Sequence, residues 1–408
     1  MNYLPFGVGE NKEALKFGEE PKYTAKEIFV QILIKLKEIT QKYLGKEAIN
    51  TVITILIYIY NDQREEIKEF AYEAGLHYVR LIQVTIASAF SSGLDKTFKE
   101  NKNLLIFDLG GGFLDIAIIS VEEGLYEALS VEGNDKLGGK YFDLKIAEYC
   151  LEEFRRITNM DIKTDKKALV RLLKACEKSK KILTNQNKVN IQIDNLMEGK
   201  GLNLVLTREK FEELCLDLFK KCISHIENCI KGSKLSKEKI DEIVLMGGSS
   251  RIPKIRQMIQ EFFEGKEINI TSNPELSPVF GASIKGAIIS NVKDKVIEKI
   301  ANYDACSFSY GVETAGGVMS VLIKKNTYTN SKKTSIFSTY NDYQQSALIR
   351  LYEGERQLVK DNHLIKEIKI DNITYLPRMQ PYLEITLDVD DNNLATLHVV
   401  DKTEKLQK

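Results

Sequence analysis

Asn103–Asp115, NLLIFDLGGGFLD, is the stretch whose reading decides the fold, and Asp241–Lys254, DEIVLMGGSSRIPK, echoes it. In each, an apolar run short enough for a buried strand ends in glycines. The first reads as a strand at Leu104–Phe107 with Asp108 at its end, a turn at Gly110, Gly111 and Gly112, and a returning strand from Leu114. Glycines carry no Cβ, so the backbone there can take φ > 0 and let its N–H groups converge on an anion. Asp108 and Asp115, one at each side of the turn, do not attract phosphate themselves. The pair makes sense if a hydrated Mg²⁺ sits between the carboxylates and phosphate oxygens. A triple glycine alone can be only a hairpin turn. The second loop strengthens the phosphate reading: Gly247 and Gly248 follow another buried strand, and Pro253 is placed to open a helix at its first position.

The chain has 408 residues, enough for two or three domains with sizeable cores. Lys+Arg and Asp+Glu are 58 each, so net charge gives no argument for nucleic acid or an anionic membrane as partner. Met1–Glu20 shows no basic segment followed by an apolar one, so no signal peptide is expected. Val52–Tyr60 is the longest apolar run; it is too short to span a bilayer and reads as a buried strand. Six cysteines lack metal spacing, and Cys215, Cys222 and Cys229 recur every seven residues along one helix face. They read as small core residues in a reducing, cytoplasmic setting.

Along the chain, Met1–Pro21 is polar and irregular. Thr24 and Glu27 form a capping box for a helix carrying Ile28, Ile32, Leu36 and Ile39, closed by Gly45. After the strand Val52–Tyr60, Asp62 caps a second helix to Ala74. Tyr78–Ile82 is a strand and Thr85–Ser92 the start of a helix. This alternation predicts an α/β domain. Ile116–Val121 and Leu125–Val131 continue the sheet as a meander, and Leu137-Gly138-Gly139 leads into a helix to Arg156. Asp165–Thr184 is a basic amphipathic helix whose lysines read as a solvated face. Strands near Val189–Ile193 and Leu202–Leu206 precede a long helix from Thr207 to Ile230. Ser277–Ser290 is a further helix. From about Asp304 the pattern changes to short β-branched runs: Val318–Ile323, Ser335–Thr339, Ala347–Tyr352, Lys366–Ile370, Tyr382–Val389 and Thr396–Val400. That spacing predicts an antiparallel sandwich.

Together, FDLGGG (Phe107–Gly112), LGG with Phe142-Asp143, ACEKSKK (Ala175–Lys181), FEEL (Phe211–Leu214), GGSSRIPK (Gly247–Lys254), GVETAGGVM (Gly311–Met319) and YEGER (Tyr352–Arg356) resemble the seventy-kilodalton heat-shock chaperone family over nearly the whole chain. The resemblance implies an actin-like (ribonuclease-H-like) ATPase domain, here residues 1–292 and incomplete at its N-terminus. A linker at 293–304 and a β-sandwich peptide-binding domain at 305–408, without the helical lid, would follow. It implies ATP or ADP with Mg²⁺ as cofactors, Asp108 and Asp115 holding the metal through water, and Gly110, Gly111, Gly112 and Gly139 at the phosphates. Glu177, Lys180, Lys181 and Thr184 would flank the adenosine, with Gly247, Gly248, Arg251 and Glu275 on the other side. Val312, Ala315, Phe337, Tyr340, Ala347, Ile349 and Leu383 would line or arch over the peptide groove. Partners would be unfolded or extended polypeptides and J-domain and nucleotide-exchange co-chaperones, with no nucleic acid and no membrane.

Departures from the family pattern shape the expected activity. The sequence begins downstream of the family's first phosphate loop and catalytic lysine. Val84 and Thr85 stand where the family has a glutamate and a proline, and valine can neither accept a proton nor orient water. Phe113 replaces a threonine, so no hydroxyl reaches the phosphate. These losses predict nucleotide binding with ATP hydrolysis lost or severely impaired, a pseudo-ATPase. Lys299–Asp304, KIANYD, has fewer apolar side chains than the family's linker, which predicts weak coupling between the two sites. Two alternatives stay open: a regulatory decoy binding co-chaperones through Leu151–Ser250, and an active chaperone read through an incomplete gene model.

Overall fold

A computed structural model describes residues 7–8, 14–16, 22–93, 101–270 and 274–403. Three short strands, β1 (Gly7–Val8), β2 (Ala14–Lys16) and β3 (Lys22–Thr24), form a small sheet before helix α1 (Ala25–Leu44). Of these, β1 and β2 are the described part of Met1–Pro21, the stretch expected to be irregular. Strand β4 (Thr51–Ile55), helix α2 (Asn61–Glu73) and strand β5 (Val79–Gln83) follow, β4 and β5 pairing in parallel. Helix α3 (Val84–Gly93) leads to the central meander β6 (Lys102–Leu109), β7 (Leu114–Glu122) and β8 (Leu125–Asn134). Next come α4 (Gly139–Thr158), α5 (Lys166–Leu183), the hairpin β9 (Lys188–Met197) and β10 (Lys200–Thr207), α6 (Arg208–Leu214) and α7 (Leu216–Ser233). Strand β11 (Glu242–Met246), α8 (Pro253–Phe262), β12 (Ile268–Ile270) and α9 (Ser277–Ile289) complete the α/β part.

The central sheet runs β12-β11-β6-β7-β8, with β13 (Ala301–Tyr303) at its far edge. Alternate side chains of its strands enter two different cores. Leu105, Phe107, Ile116, Ile118, Ile243 and Leu245 point to one, and Leu104, Ile106, Ala117, Ile119, Val244 and Met246 to the other. Both faces are covered, which is why the strands read as continuous apolar runs.

Beyond β13, β14 (Tyr310–Thr314), β15 (Val318–Ile323), β16 (Ser331–Phe337), β17 (Ser346–Glu353), β18 (His363–Asp371), β19 (Leu383–Val389) and β20 (Ala395–Asp401) form two antiparallel sheets, β15-β14-β17-β18 and β16-β19-β20. Tyr310, Val312 and Leu351 of one meet Ile385, Leu387 and Val389 of the other in a single core. Asn393, in the turn between β19 and β20, takes a left-handed φ of 61°.

These sheets sit against α2 and β5 through buried polar contacts. Arg64, fully buried, donates from Nη1 to the Asn393 carbonyl (2.9 Å) and the Tyr310 hydroxyl (3.2 Å). The Asn61 N–H donates to Glu353 Oε1 (2.8 Å), and the Asn61 side chain accepts from the Ala395 N–H (2.7 Å). Gln83, at the end of β5, donates to the Ala305 carbonyl (2.9 Å). On the β8 side, Lys325 pairs with Glu132 at 2.7 Å.

Several expectations need correction. The strand expected over Val52–Tyr60 stops at Ile55, because the Ile57 N–H turns to donate to Asp115 Oδ1 at 2.8 Å. Tyr60, not Asp62, occupies the N-cap of α2. On α1 the buried residues are Val30 and Leu33, whereas Ile32, Leu36 and Ile39 are more than half exposed. The helix expected from Thr207 to Ile230 breaks at Cys215, whose ψ of 7° is not helical. None of Gly110, Gly111 and Gly112 takes a positive φ. Within KIANYD, Ala301–Tyr303 adds to the central sheet as a parallel strand beside β8, which the sequence reading does not assign. Strand addition uses backbone groups, so it does not require apolar side chains.

Candidate functional site

Strand register places the two glycine loops side by side. In the parallel β6–β11 pair, Phe107 lies opposite Leu245 and Asp108 opposite Met246, so both strands end at one level. The turn after β6 closes with the Gly110 N–H donating to the Phe113 carbonyl (3.0 Å). The Gly110 carbonyl then accepts from the Gly139 N–H (3.0 Å) and from Ser249 Oγ (2.8 Å), and the Gly111 carbonyl accepts from the Lys140 N–H (2.7 Å). Three chain segments thus interlock through main-chain groups. A Cβ on Gly139 would lie 2.8 Å from Ser249 Oγ and 3.0 Å from Lys180 Nζ, so a larger residue there must displace one of these side chains. Gly247 combines a φ of +75° with a would-be Cβ 2.4 Å from Asp108 Oδ1. By contrast, nothing lies within 4 Å of the corresponding point on Gly111, which faces open space.

Asp108 and Asp115 lie directly opposite each other in the antiparallel β6–β7 pair. Loss of hydration pushes the Asp108 carboxyl up to about 6. The same cause raises Asp115 to about 7; the Asp108 charge adds to it, and the hydrogen bond from Ile57 opposes it. Neither carboxylate is paired with a lysine or arginine among the described residues. Two dehydrated acids facing each other without a cation suit a divalent ion, which would hold both ionised.

Helix α5 reaches this cradle with its C-terminal turn. Lys180 is not a solvated lysine: it is buried, donating to the Gly139 carbonyl and pairing with Asp143, each at 2.8 Å. Burial raises the Asp143 carboxyl above its ordinary range, and the Lys180 charge opposes that rise. Glu177 and Lys181 instead form an exposed pair at 2.7 Å, one turn apart. Thr184, the helix C-cap, lines a cleft of ≈ 410 Å³ together with Arg251, Arg256 and Gln260. Arg251 Nε stands 4.0 Å from Glu275 Oε1. The structure therefore gathers Asp108, Asp115, the glycines, Thr184, Arg251 and Glu275 around one region, while Lys180 serves the scaffold beneath Gly139.

Val84 begins α3 with its side chain buried. Phe113 is 40% exposed, and Lys140 Nζ lies 5.4 Å from its ring centroid. Lys140 and Ser249 were not singled out by sequence reasoning. Ser249 was within reach, because it directly follows the second glycine pair. Of the groove set, Val312 and Leu383 are buried, and Phe337 and Ile349 pack on the shared core. Ala347 is half-buried, Ala315 is exposed and Tyr340 is 73% exposed.

The family model for Hsp70 protein matches residues 2–408. The chain belongs to the Hsp70 family. It is 39% identical over 414 residues to heat shock cognate 70 kDa protein 3 of Dictyostelium discoideum, covering 99% of this chain and 66% of that protein. It is 39% identical over 408 residues to heat shock 70 kDa proteins of Trichophyton rubrum and Neurospora crassa, covering 98% of this chain and 62% and 63% of theirs. The chain thus spans slightly less than two thirds of the length of these curated relatives. Within the Hsp70 family, its mixed α/β sheets are those of the nucleotide-binding domain, consistent with an actin-like ATPase fold.

Proposed function

We propose that this Hsp70 chain binds ATP or ADP with Mg²⁺ between its two glycine turns and holds extended, unfolded polypeptide on its C-terminal sheets, with phosphoryl transfer severely impaired. The observation that carries this reading is the convergence of Asp108, Asp115 and the interlocked glycine turns at one end of the central sheet. In this reading residues 1–292 are the nucleotide domain, 293–304 the linker and 305–408 a β-sandwich for peptide. Asp108 and Asp115 hold the metal through water, Gly111 leaves room for phosphate, and Thr184, Arg251 and Glu275 border the adenosine. Bound Mg²⁺ supplies charge neutralisation at the phosphate oxygens. J-domain and nucleotide-exchange co-chaperones are the matching partners.

Binding and turnover separate because they draw on different residues. Orienting the attacking water needs an acceptor, and a buried valine at position 84 offers none; such a loss removes on the order of 10²–10⁴ in rate. Phe113 supplies no hydroxyl. Calorimetric titration with ADP and Mg²⁺, beside a single-turnover ATP hydrolysis assay, tests the reading. Saturable binding that Asp108→Asn weakens, with negligible phosphate release, is the expected pair of results. No binding at all defeats the nucleotide assignment, and steady phosphate release that stops in Asp108→Asn defeats the claim of impaired turnover.

A further inference from the structure

We propose that Asp62, Glu353 and His363 form a zinc site that fastens helix α2 to the C-terminal sheets. One carboxylate or imidazole atom from each residue lies within 4.8 Å of the other two. The three come from separate elements: Asp62 from the first turn of α2, Glu353 from the end of β17 and His363 from the start of β18, paired opposite Glu353.

Each donor is held in place through another of its atoms. Asp62 Oδ1 accepts from the Gln63 N–H (2.8 Å), and Glu353 Oε1 accepts from the Asn61 N–H (2.8 Å). The His363 ring is stacked on Tyr60, centroids 4.2 Å apart and planes 17° off parallel. Such outer contacts orient metal ligands before the ion arrives. Among the described residues, neither Glu353 Oε2 nor His363 Nε2 makes a hydrogen bond. Glu353 is fully buried, yet its Oε2 makes no hydrogen bond. His363 Nε2 lies 3.1 Å from Asp62 Oδ2 but is not aligned to donate to it. That combination fits two atoms aimed at a shared third point. Donors bound to one tetrahedral zinc at about 2.0–2.1 Å sit about 3.3 Å apart.

The donor set chooses the ion. One imidazole nitrogen with two carboxylate oxygens suits Zn²⁺, whereas Mg²⁺ and Ca²⁺ prefer oxygen alone. Asp62 is half exposed, so a water can complete the fourth position from the solvent side. Nothing in this site draws on the nucleotide cradle, and the inference stands apart from the function proposed above.

The test uses the full chain, stripped with chelator and titrated with zinc chloride alone by calorimetry in the presence of excess Mg²⁺. One zinc per chain is expected, with a rise in melting temperature at saturation. His363→Gln and Asp62→Asn should each weaken binding at least about tenfold and abolish the thermal shift. His398→Gln, an exposed histidine on β20, should change neither. Both test positions are partly exposed, and unchanged melting of the zinc-free variants verifies that they fold. No saturable binding, or a loss in neither or only one of the two variants, overturns the site.

Discussion

Replacing Lys180 by methionine tests whether the glycine cradle rests on a buried charge. The ammonium lies 2.8 Å from Asp143 Oδ1 and 2.8 Å from the Gly139 carbonyl, and the paired side chains retain only 10% and 12% of their exposure. Methionine keeps most of the volume but strands Asp143 without a cation. Breaking a buried pair in this way costs about 3–5 kcal/mol, whereas exposed pairs contribute about 1 kcal/mol or less. Removing both charges, in Lys180→Met with Asp143→Leu, should recover most of the loss, because no unpaired charge remains. The sign of the pH dependence follows from the same geometry. Burial already raises the Asp143 carboxyl, and losing Lys180 raises it further, so the single variant is penalised most at high pH and regains stability as Asp143 takes up a proton. Urea denaturation of the four proteins, followed by circular dichroism at about pH 8 and about pH 5, gives the coupling energy. A coupling below about 0.5 kcal/mol, or a Lys180→Met penalty that ignores pH, refutes the claim that this pair supports the turn.

Three further outcomes are expected. Gly247→Ala must place a methyl 2.4 Å from Asp108 Oδ1 at a φ of +75°; it should cost about 2 kcal/mol or more in denaturation and weaken ADP binding by calorimetry. Burial raises Asp304 to about 6, so its ionised form costs stability as pH rises from its ordinary value of 3.8 through that point. Asp304→Asn, which keeps an acceptor for the Ala305 N–H, should gain on the order of 2 kcal/mol at neutral pH and flatten the melting-temperature profile across that window. On α1, Leu33→Ala should cost about 2–4 kcal/mol and Ile39→Ala within about 0.5 kcal/mol, which thermal melts will separate.

Sequence periodicity revealed the central meander because β6, β7 and β11 are buried on both faces and nothing local competes with them. Helix α1 was equally legible as a helix, but period alone could not say which face turns inward. Both Val30 with Leu33 and Ile32 with Leu36 and Ile39 make apolar stripes, and tertiary contacts buried only the first. The early end of β4 depends on an acceptor 58 residues away, Asp115, which no window around Ile57 contains. Arg64 gave no local sign of burial either, because its partners Tyr310 and Asn393 lie 246 and 329 positions further along. Strand β13 was hidden for another reason. Edge pairing is made by main-chain groups, and KIANYD carries no side-chain pattern for it. The glycine turn lies beside Asp108 and Asp115, but the reason read from the sequence, a left-handed backbone, does not apply to it. Gly110, Gly111 and Gly112 need no left-handed backbone, and at Gly111 the missing side chain leaves open volume instead.

Three residues of chain separate Ile57 from Asn61, and each end holds a different half of the molecule. Ile57 grips the carboxylate of Asp115 at the mouth of the cradle, and Asn61 grips Glu353 and Ala395 across the junction. This short strap gives the two halves a connection separate from the main chain that runs on through β13. A shift of Asp115 toward an arriving cation would pull on the same few peptide bonds that seat the distant sheets.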